Sequence, residues 1–296
     1  MNESLRPRSQ LSCLVALAAM ILSASCATTS TPAPPSADAP APMHLFLLAG
    51  QSNMAGRGEV KAKDRATHPR IWMLDQRGAW VPAAEPLHFD KPVAGVGPGL
   101  AFARVLVESD PAVVVGLVPT AVGGSPISTW EPGGWHDQTN SHPYDDALAR
   151  ARIAARRGEF KAILWHQGES DANAERAPLY GERLIRLVER FRGDLGAPDL
   201  PFLVGGLGCF AGVPWSPYRA AVDSVHRSLP TILDNVVFVP ADGLGHKGDS
   251  VHFDSPATRE LGRRFARAYL ESTDPDAGEG RRRAVPYPPG ECARAR

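Results

Sequence analysis

The chain has 296 residues, in which 32 Lys+Arg balance 32 Asp+Glu, with 43% hydrophobic residues and 28 each of Gly and Pro. The zero formal charge argues against a broad basic surface for nucleic acid, and nothing in the composition resembles a fibrous, repeat or coiled-coil protein. The length suffices for one globular domain of about 230 residues once both ends are set aside.

The N-terminal segment, residues 1–26, has the layout of a secretory signal. Two arginines precede the apolar stretch LSCLVALAAMILSASC, which is short for a membrane span. Its last five residues are similar to a bacterial lipoprotein signal with Cys26 as the acylated residue, although Ser23 stands where leucine is usual. Simple cleavage near Ala24 or Ala27 is the alternative.

The remaining organisation follows from composition. Residues 27–42, rich in Pro, Ala and Thr, are expected to form a disordered linker; 43–272 form the folded domain, and 273–296 a C-terminal extension. An exported protein of the bacterial periplasm or cell surface is expected, lipid-anchored to the outer membrane, with that anchor as its only membrane contact. In such a compartment Cys209 and Cys292 are expected either to form a disulfide or to stay unpaired.

Short apolar runs alternate with amphipathic stretches from residue 43 onward. The predicted strands are 44–49, 70–74, 112–119, 161–166, 201–206 and 235–240. The predicted helices are 99–108, 145–157, 179–191, 218–229 and 256–270. Several strands are nearly continuous apolar runs rich in β-branched residues, as strands buried on both faces are. This alternation predicts the α/β class, with βαβ units, a parallel sheet and functional residues at the carboxyl ends of its strands.

Four polar clusters fall at predicted strand ends or just beyond them. They are GQSNM (50–54), AVGGSPISTW (121–130), HQGESD (166–171) and GDSVHFD (248–254). Each cluster alone is weak evidence, because polar residues after a strand are ordinary loop chemistry. Their joint placement on one rim of one sheet is the informative observation.

A serine nucleophile needs a base within hydrogen-bond reach and a group that orients that base. Ser52, where the first strand turns into a helix, supplies a hydroxyl, and Asp249 lies three residues before His252. At that spacing the carboxylate can reach the imidazole Nδ1–H and leave Nε2 for Ser52. The three residues therefore form a candidate catalytic triad.

An oxyanion also needs hydrogen-bond donors. The candidates are the backbone N–H of Ser52, the N–H of Gly123 or Gly124, and the side chain of Gln167. Paired glycines let the backbone approach a ligand closely.

The blocks GQSNMAGRG, GGSPISTW, WHQGESDA and DSVHFD resemble those of the SGNH (GDSL-like) hydrolase superfamily. In detail they resemble its carbohydrate esterase family six and sialate O-acetylesterase-like domains, over about residues 43–270. The resemblance implies a three-layer α/β/α sandwich with a flavodoxin-like parallel sheet, and catalysis without metal or cofactor. It implies a serine esterase that removes acetyl groups from O-acetylated carbohydrate, of the acetylxylan or sialic acid type, through an acetyl-serine intermediate.

Matched to the family's motifs, Ser52 is the nucleophile, His252 the base and Asp249 its partner. Gly123 or Gly124 corresponds to the oxyanion glycine. Gln167 takes the place that an asparagine fills in the wider superfamily.

Five further residues are expected to support the site or to bind substrate: Gln51, Asn53, Arg57, His166 and Glu169. Asn53 is expected to organise its loop, and His166 either packs against neighbours or touches substrate. Glu169 either braces the loops or competes with Asp249 for His252. Arg57 either binds sugar or forms a surface ion pair.

Two tryptophans, Trp130 and Trp135, flank the second cluster and are expected either to form a stacking wall for sugar rings or to lie in the core. The expected partner is an acetylated poly- or oligosaccharide, with no nucleic acid, and the protein is expected to be a monomer.

Two other functions compete with the serine esterase. A metal-dependent hydrolase would use the neighbouring His246, Asp249 and His252, with Asp254 close by, although no pattern such as H-E-x-x-H is present. A glycan-binding surface lipoprotein with little catalysis is the other alternative. An α/β-hydrolase is disfavoured because Met54 breaks the G-x-S-x-G pattern.

Overall fold

The computed structural model describes residues 42–274. Within this range the strands are β1 (Met43–Gly50), β2 (Ile71–Leu74), β3 (Trp80–Pro82), β4 (Val115–Pro119), β5 (Gly158–His166), β6 (Phe202–Gly205) and β7 (Val236–Val239). The α-helices are α1 (Ser52–Ala55), α2 (Pro98–Ser109), α3 (Pro143–Ala154), α4 (Ala177–Asp194), α5 (Pro217–Ser228) and α6 (Ser255–Thr273). All six predicted strands and five predicted helices are present, with shifted ends.

The strands form one sheet in the order β3-β2-β4-β1-β5-β6-β7. Every pairing is parallel except that of β2 with β3. The five strands β4-β1-β5-β6-β7 have the 2-1-3-4-5 order of flavodoxin-like sheets. The predicted α/β class and flavodoxin-like sheet are therefore confirmed. The antiparallel edge strand β3 was not predicted, because three residues are too few to show a periodicity.

The core lies in two layers, one on each face of the sheet. Alternate residues of β1 enter opposite layers, with Leu45 in one and Phe46 in the other. The first layer is completed by helices α3, α4 and α5, and the second by α2 and α6. Because a buried parallel strand needs apolar residues on both faces, the continuous run in β1 fits a central position. Helices therefore cover both faces of the sheet, and the predicted three-layer α/β/α sandwich is confirmed.

The five longer helices each carry a proline at the first or second position. Proline is suited to this position because its missing N–H has no partner there in any case. The short helix α1 has no such signal, and it begins directly at Ser52.

The carboxyl ends of β1 and β5 are held in close contact. A Cβ on Gly50 would lie 2.1 Å from the carbonyl oxygen of His166, and Gly50 has a φ of +125°. The N–H of Gln51 donates to that same oxygen at 2.9 Å. This contact places the turn that carries Ser52 beside the loop after β5, at the crevice where the chain switches direction across the sheet.

Several expectations concern residues that the structure does not describe. The signal with Cys26, the linker, the C-terminal extension and Cys292 lie outside the described residues, apart from residues 42, 273 and 274. Cys209 is disulfide-bonded. Between residues 42 and 274, no helix is long and apolar enough to cross a membrane.

Glu85 is a buried carboxyl group in the segment between β3 and α2. Its Oε2 accepts a hydrogen bond from the N–H of Leu87 at 3.1 Å. Burial raises the pKa of Glu85 from 4.5 to about 8, because the charged form loses its hydration. The native protein therefore keeps a proton that the unfolded chain releases near pH 4.5.

This difference predicts that the free energy of unfolding decreases as pH rises from about 4.5 to about 8, the window between the two pKa values. Glu85→Gln has no proton to release, so its stability should decrease less across that window. Urea unfolding at roughly pH 5 and pH 8 measures both proteins. Glu59→Gln, at an exposed position, should keep the wild-type dependence, and equal dependence in wild type and Glu85→Gln would refute the prediction.

Candidate active site

Ser52 is the first residue of helix α1, immediately after the end of β1. Its side chain lies close to the surface but is largely covered, with 6% exposure. The helix ends at Ala55, and the N–H of the next residue, Gly56, donates to the carbonyl oxygen of Ser52. This tight strand-to-helix turn holds the serine hydroxyl at the carboxyl edge of the sheet.

The predicted triad residues are in hydrogen-bond contact. Ser52 Oγ lies 2.9 Å from His252 Nε2, and His252 Nδ1 lies 2.7 Å from Asp249 Oδ2. With Nδ1–H donating to the carboxylate, the lone pair of Nε2 faces the serine hydroxyl. This arrangement gives an imidazole in the correct tautomer to take a proton from Ser52.

Asp249 is held in its ionised form. Partial burial opposes the charge, but hydrogen bonds from the His252 N–H, the His252 ring and the Val251 N–H outweigh it and lower the pKa of Asp249 well below its usual value. The carboxylate therefore keeps its charge, and the imidazole its orientation, over the whole pH range in which histidines titrate.

Two of the predicted oxyanion donors have free N–H groups. The N–H of Ser52 and the N–H of Gly124 meet no acceptor among the residues that the structure describes. Gly124 has a φ of +85°, which favours glycine, and it belongs to the loop after β4. The N–H of Val122 in that loop donates to the Gly50 carbonyl at 2.9 Å, so the loop lies against the end of β1.

The other two predicted donors are already engaged, which corrects the sequence-based assignment. The N–H of Gly123 donates to Asp90 Oδ2 at 2.8 Å. The Gln167 amide donates to the Ser125 carbonyl at 3.1 Å and to Asp171 Oδ2 at 2.6 Å, so both of its N–H groups are used. Gln167 is fully buried and braces the loop after β4 instead of facing a ligand.

Gln51 joins the first cluster to the third. Its Oε1 accepts long hydrogen bonds from the N–H groups of Gly168 and Ser170, at 3.5 and 3.4 Å. Ser170 Oγ in turn donates to the Gly124 carbonyl at 3.0 Å. The loops after β1, β4 and β5 are therefore linked side by side.

Asn53 and Glu169 lie against each other, away from the His252 ring. Asn53 Nδ2 donates to Glu169 Oε1 at 2.6 Å and to the Val251 carbonyl at 3.1 Å. Asn53 Oδ1 accepts from the N–H of Phe253 at 3.1 Å. The partner of the His252 ring is Asp249, so the structure does not place Glu169 in that position.

His166 is fully buried and packs edge-on against Phe253. Its Nε2 donates to the Gly206 carbonyl at 2.9 Å. Burial lowers the pKa of His166, since the cation would lose its hydration, although Glu169 opposes this. His166 is therefore a neutral packed neighbour of the site, one of the two roles expected for it.

Arg57 forms an ion pair, but a buried one. Its Nη2 lies 2.7 Å from Asp90 Oδ2, with side-chain exposures of 5% and 2%. The same carboxylate oxygen accepts the Gly123 N–H, so the pair anchors the loop that carries Gly124. The sequence predicted a surface ion pair for Arg57, whereas the pair in the structure is buried. The partner, Asp90, lies 33 residues further along the chain, so a local pattern of residues does not reveal it.

The two tryptophans differ in position. Trp130 is fully buried, packs against Trp165 and donates from Nε1 to Ser125 Oγ at 2.9 Å. Trp135 is 46% exposed and lies edge-on to His142. Trp130 therefore lies in the core, one of the two positions expected for it.

The metal-binding alternative is not supported by the donor geometry. Within residues 42–274, no three His, Cys, Asp or Glu side chains converge as a metal site requires. His246 Nδ1 accepts hydrogen bonds from the N–H groups of Gly248 and Ser250, at 3.1 and 3.0 Å. His252 Nδ1 is bound to Asp249. These nitrogen atoms organise the loop and do not face a common centre.

The sequence did not reveal two residues that hold the site. Asp90 lies in a segment without a recognised motif, and only its contacts with Arg57 and Gly123 show its role. Asp171 was part of the third cluster but received no role, and it accepts from Gln167 and from the N–H of Ile127. The burial of a carboxylate inside a cluster is not visible in the residue pattern.

Comparison with known proteins identifies a family for this chain. Residues 42–271 match the family described as carbohydrate esterase, sialic acid-specific acetylesterase. A probable carbohydrate esterase of Arabidopsis thaliana is 38% identical over 255 residues, which cover 78% of this chain and 92% of that protein.

Solved structures show the same fold. The X-ray structure of a protein from Arabidopsis thaliana has a TM-score of 0.68 and 36% identity, covering 77% of this chain and 98% of that one. The NanS crystal structure has a TM-score of 0.64 and 23% identity, covering 78% and 98%. A carbohydrate acetylesterase from Xanthomonas citri has a TM-score of 0.60 and 23% identity, covering 77% and 56%.

The packing around Gly123 leads to a prediction about stability. A Cβ at this position would lie 2.2 Å from Arg57 Nη2 and 2.7 Å from Asp90 Oδ2, so Gly123→Ala must displace the buried ion pair. We expect a loss of about 1–3 kcal/mol of unfolding free energy. At Gly193, in helix α4, a Cβ meets nothing within 4 Å, and Gly193→Ala should stabilise the protein slightly.

Chemical unfolding of the three proteins measures the difference. Equal stability of Gly123→Ala and wild type would show that the ion pair does not depend on this close approach.

Proposed function

The chain belongs to the carbohydrate esterase family of sialic acid-specific acetylesterases, and on that premise we propose that it removes O-acetyl groups from carbohydrate with Ser52 as nucleophile. As a member of this family it is a carboxylic ester hydrolase. The observation that carries the proposal is the continuous line of contacts from Ser52 Oγ through the His252 ring to Asp249, at 2.9 and 2.7 Å. The identity of the sugar and the acetyl-serine step are part of the proposal.

In the first half of the reaction, Ser52 Oγ attacks the acetyl carbonyl carbon while His252 Nε2 takes the hydroxyl proton. The carbonyl oxygen becomes an oxyanion, which the free N–H groups of Ser52 and Gly124 are suited to stabilise. When the tetrahedral intermediate collapses, the ester C–O bond breaks. The sugar oxygen leaves with the proton from Nε2, and the acetyl group remains on Ser52.

In the second half, His252 Nε2 takes a proton from water as the water oxygen attacks the acetyl-serine carbonyl. Collapse of this intermediate returns the proton to Ser52 Oγ and releases acetate. Asp249 stabilises the imidazolium in both halves without accepting its proton, since its pKa is held low by three hydrogen bonds.

A neighbouring cleft favours an acidic sugar. It has a volume of about 540 Å³, and Lys247 in its lining has its Nζ 3.7 Å from Asp249 Oδ2. Lys61 and Lys63 also line it, and Glu59 and Asp254 are its acidic residues. Cationic side chains attract a carboxylate-bearing saccharide more than a neutral one. The family description points the same way, so we favour an O-acetylated acidic sugar over acetylxylan.

Export of the protein, with a lipid anchor at Cys26, is also proposed. The disulfide at Cys209 supports it, because disulfides form and persist in oxidising compartments.

The nucleophile assignment predicts that Ser52→Ala lowers the turnover number by a factor on the order of 10⁴ or more while the protein stays folded. Acetate release from O-acetyl sialic acid and from acetylxylan measures both activity and sugar preference. Ser109→Ala, at an exposed serine at the end of α2, serves as the matched control and should act like wild type.

Wild-type acetate release by Ser52→Ala would overturn the serine mechanism. Binding of acetylated glycans by the wild-type protein without any acetate release would instead support the glycan-binding alternative.

The triad also predicts the pH dependence. A histidine base works only when neutral, so kcat/KM should decrease on the acid side, within the range of about pH 5 to 8 where histidines titrate. Because the pKa of Asp249 is lowered, its carboxylate stays ionised throughout, and the decrease should follow one group. Asp249→Asn should lower kcat by a factor on the order of 10³–10⁴, since the imidazole loses its orienting acceptor. A flat wild-type profile would show that no histidine base is involved.

A further inference from the structure

Asn53 is placed where it can link the nucleophile to the base. It follows Ser52 directly in helix α1 and is 1% exposed. Its position is therefore coupled to that of Ser52 through one peptide bond and one short helix. At this exposure the side chain is covered by protein and does not face a substrate.

The amide of Asn53 contacts the backbone on both sides of the proposed base. Its Nδ2 donates to the carbonyl of Val251 at 3.1 Å, and its Oδ1 accepts from the N–H of Phe253 at 3.1 Å. These two residues are the immediate neighbours of His252 in the chain. One side chain thus holds a loop that lies about 200 residues further along the sequence.

On the Val251 side the loop is held by hydrogen bonds within itself, from the Ser250 N–H to His246 Nδ1 and from the Val251 N–H to Asp249 Oδ1, both at 3.0 Å. Ser250 has a φ of +60°, Gly248 a φ of +107°, and Val251 is exposed. Phe253 is fully buried, so the second side of His252 is also held by packing. The hydrogen bond from Asn53 to the Val251 carbonyl ties this exposed part of the loop to helix α1, which carries Ser52.

Glu169 adds to the contacts that orient the Asn53 amide. A carboxylate oxygen only accepts hydrogen bonds, and Glu169 Oε1 lies 2.6 Å from Asn53 Nδ2. The amide nitrogen must therefore face Glu169 and Val251, which leaves Oδ1 to accept from Phe253. With the amide reversed, Oδ1 would face two acceptors, and Nδ2 would face the N–H of Phe253.

Glu169 stays in this position although its burial is unfavourable. Its side chain is 9% exposed, and Oε2 is buried without a hydrogen-bond partner in the described part of the chain. Leaving a buried acceptor unsatisfied costs free energy, so an acid that served only to fill space would be poorly placed here. The short charge-assisted bond to Asn53 offsets part of that cost.

We infer that Asn53 is a positioning residue that keeps His252 Nε2 within reach of Ser52 Oγ, and that Glu169 helps to hold the Asn53 amide in the orientation this requires. The inference rests on the proposed function, in which Ser52 and His252 react together. Neither side chain takes part in the chemistry. Their effect is on geometry, where a displacement of about 1 Å can lower a rate by a factor of a hundred.

The test exchanges the donor and the acceptor. Asn53→Asp sets a carboxylate against Glu169 and removes the donor to Val251, so kcat per folded enzyme should decrease on the order of a hundredfold, with KM nearly unchanged. Glu169→Gln still offers an acceptor oxygen to Asn53 and should keep most of the wild-type kcat. In the double variant Asn53→Asp/Glu169→Gln, the new amide donates to the new carboxylate, which still accepts from Phe253. Its kcat should rise about tenfold above that of Asn53→Asp, because the two carboxylates no longer face each other, but stay below that of wild type, because the Val251 carbonyl still lacks its donor.

Acetate release gives kcat and KM, and thermal unfolding gives the folded fraction at the assay temperature. Asn173→Asp, the same exchange at a residue that contacts Ser170 and the start of α4, should leave kcat within about twofold of wild type. If Asn53→Asp does not fold, the comparison of Glu169→Gln with Glu169→Leu takes its place. The leucine variant should then lose kcat and the glutamine variant should keep it.

Ser52→Ala, assayed in the same series, separates the two proposals. Full activity of Ser52→Ala would refute the proposed function itself. An inactive Ser52→Ala together with wild-type kcat in Asn53→Asp would refute the positioning role alone. A double variant that regains stability without regaining kcat would also refute it, because the exchange would then serve folding only.

Discussion

The site depends on the contact between the carboxyl ends of β1 and β5. The carbonyl oxygen of His166 occupies the space where Gly50 would carry a Cβ, and it accepts the N–H of Gln51. Any larger residue at position 50 would separate the two strands at the end where the reactive hydroxyl is carried. Because Ser52 follows two residues later, this approach determines how the nucleophile turn lies relative to the loop after β5.

From that contact the polar loops are joined by buried hydrogen bonds more than by apolar packing. Gln51 connects the first loop to the third, Gln167 connects the third to the second, and Asp90 anchors the second through Gly123. Buried polar groups are costly unless paired, so such a network is stable only when its members are satisfied together. This cost explains why Gln167 and Gly123 are not available to a ligand: their N–H groups already hold the loops in place.

Membership of the carbohydrate esterase family and the geometry of the site point to the same chemistry. The family supplies the reaction class, and the structure supplies a serine, an oriented imidazole and an ionised carboxylate in contact.

The sequence by itself determined the architecture and the residues that meet at the rim. Alternating apolar and amphipathic stretches follow directly from burial on two faces of a sheet, so the α/β class and the strands were readable, except for the three-residue β3. The four clusters were found for the same reason, since the carboxyl ends of parallel strands lie on one side. Only the tertiary structure decided which polar groups are free. The N–H groups of Gly123 and Gln167, expected to face an oxyanion, donate to Asp90 and Asp171 instead. Trp130 lies in the core. Whether an N–H donor is free depends on acceptors that lie far away in the chain, and a local pattern of residues does not reveal those acceptors.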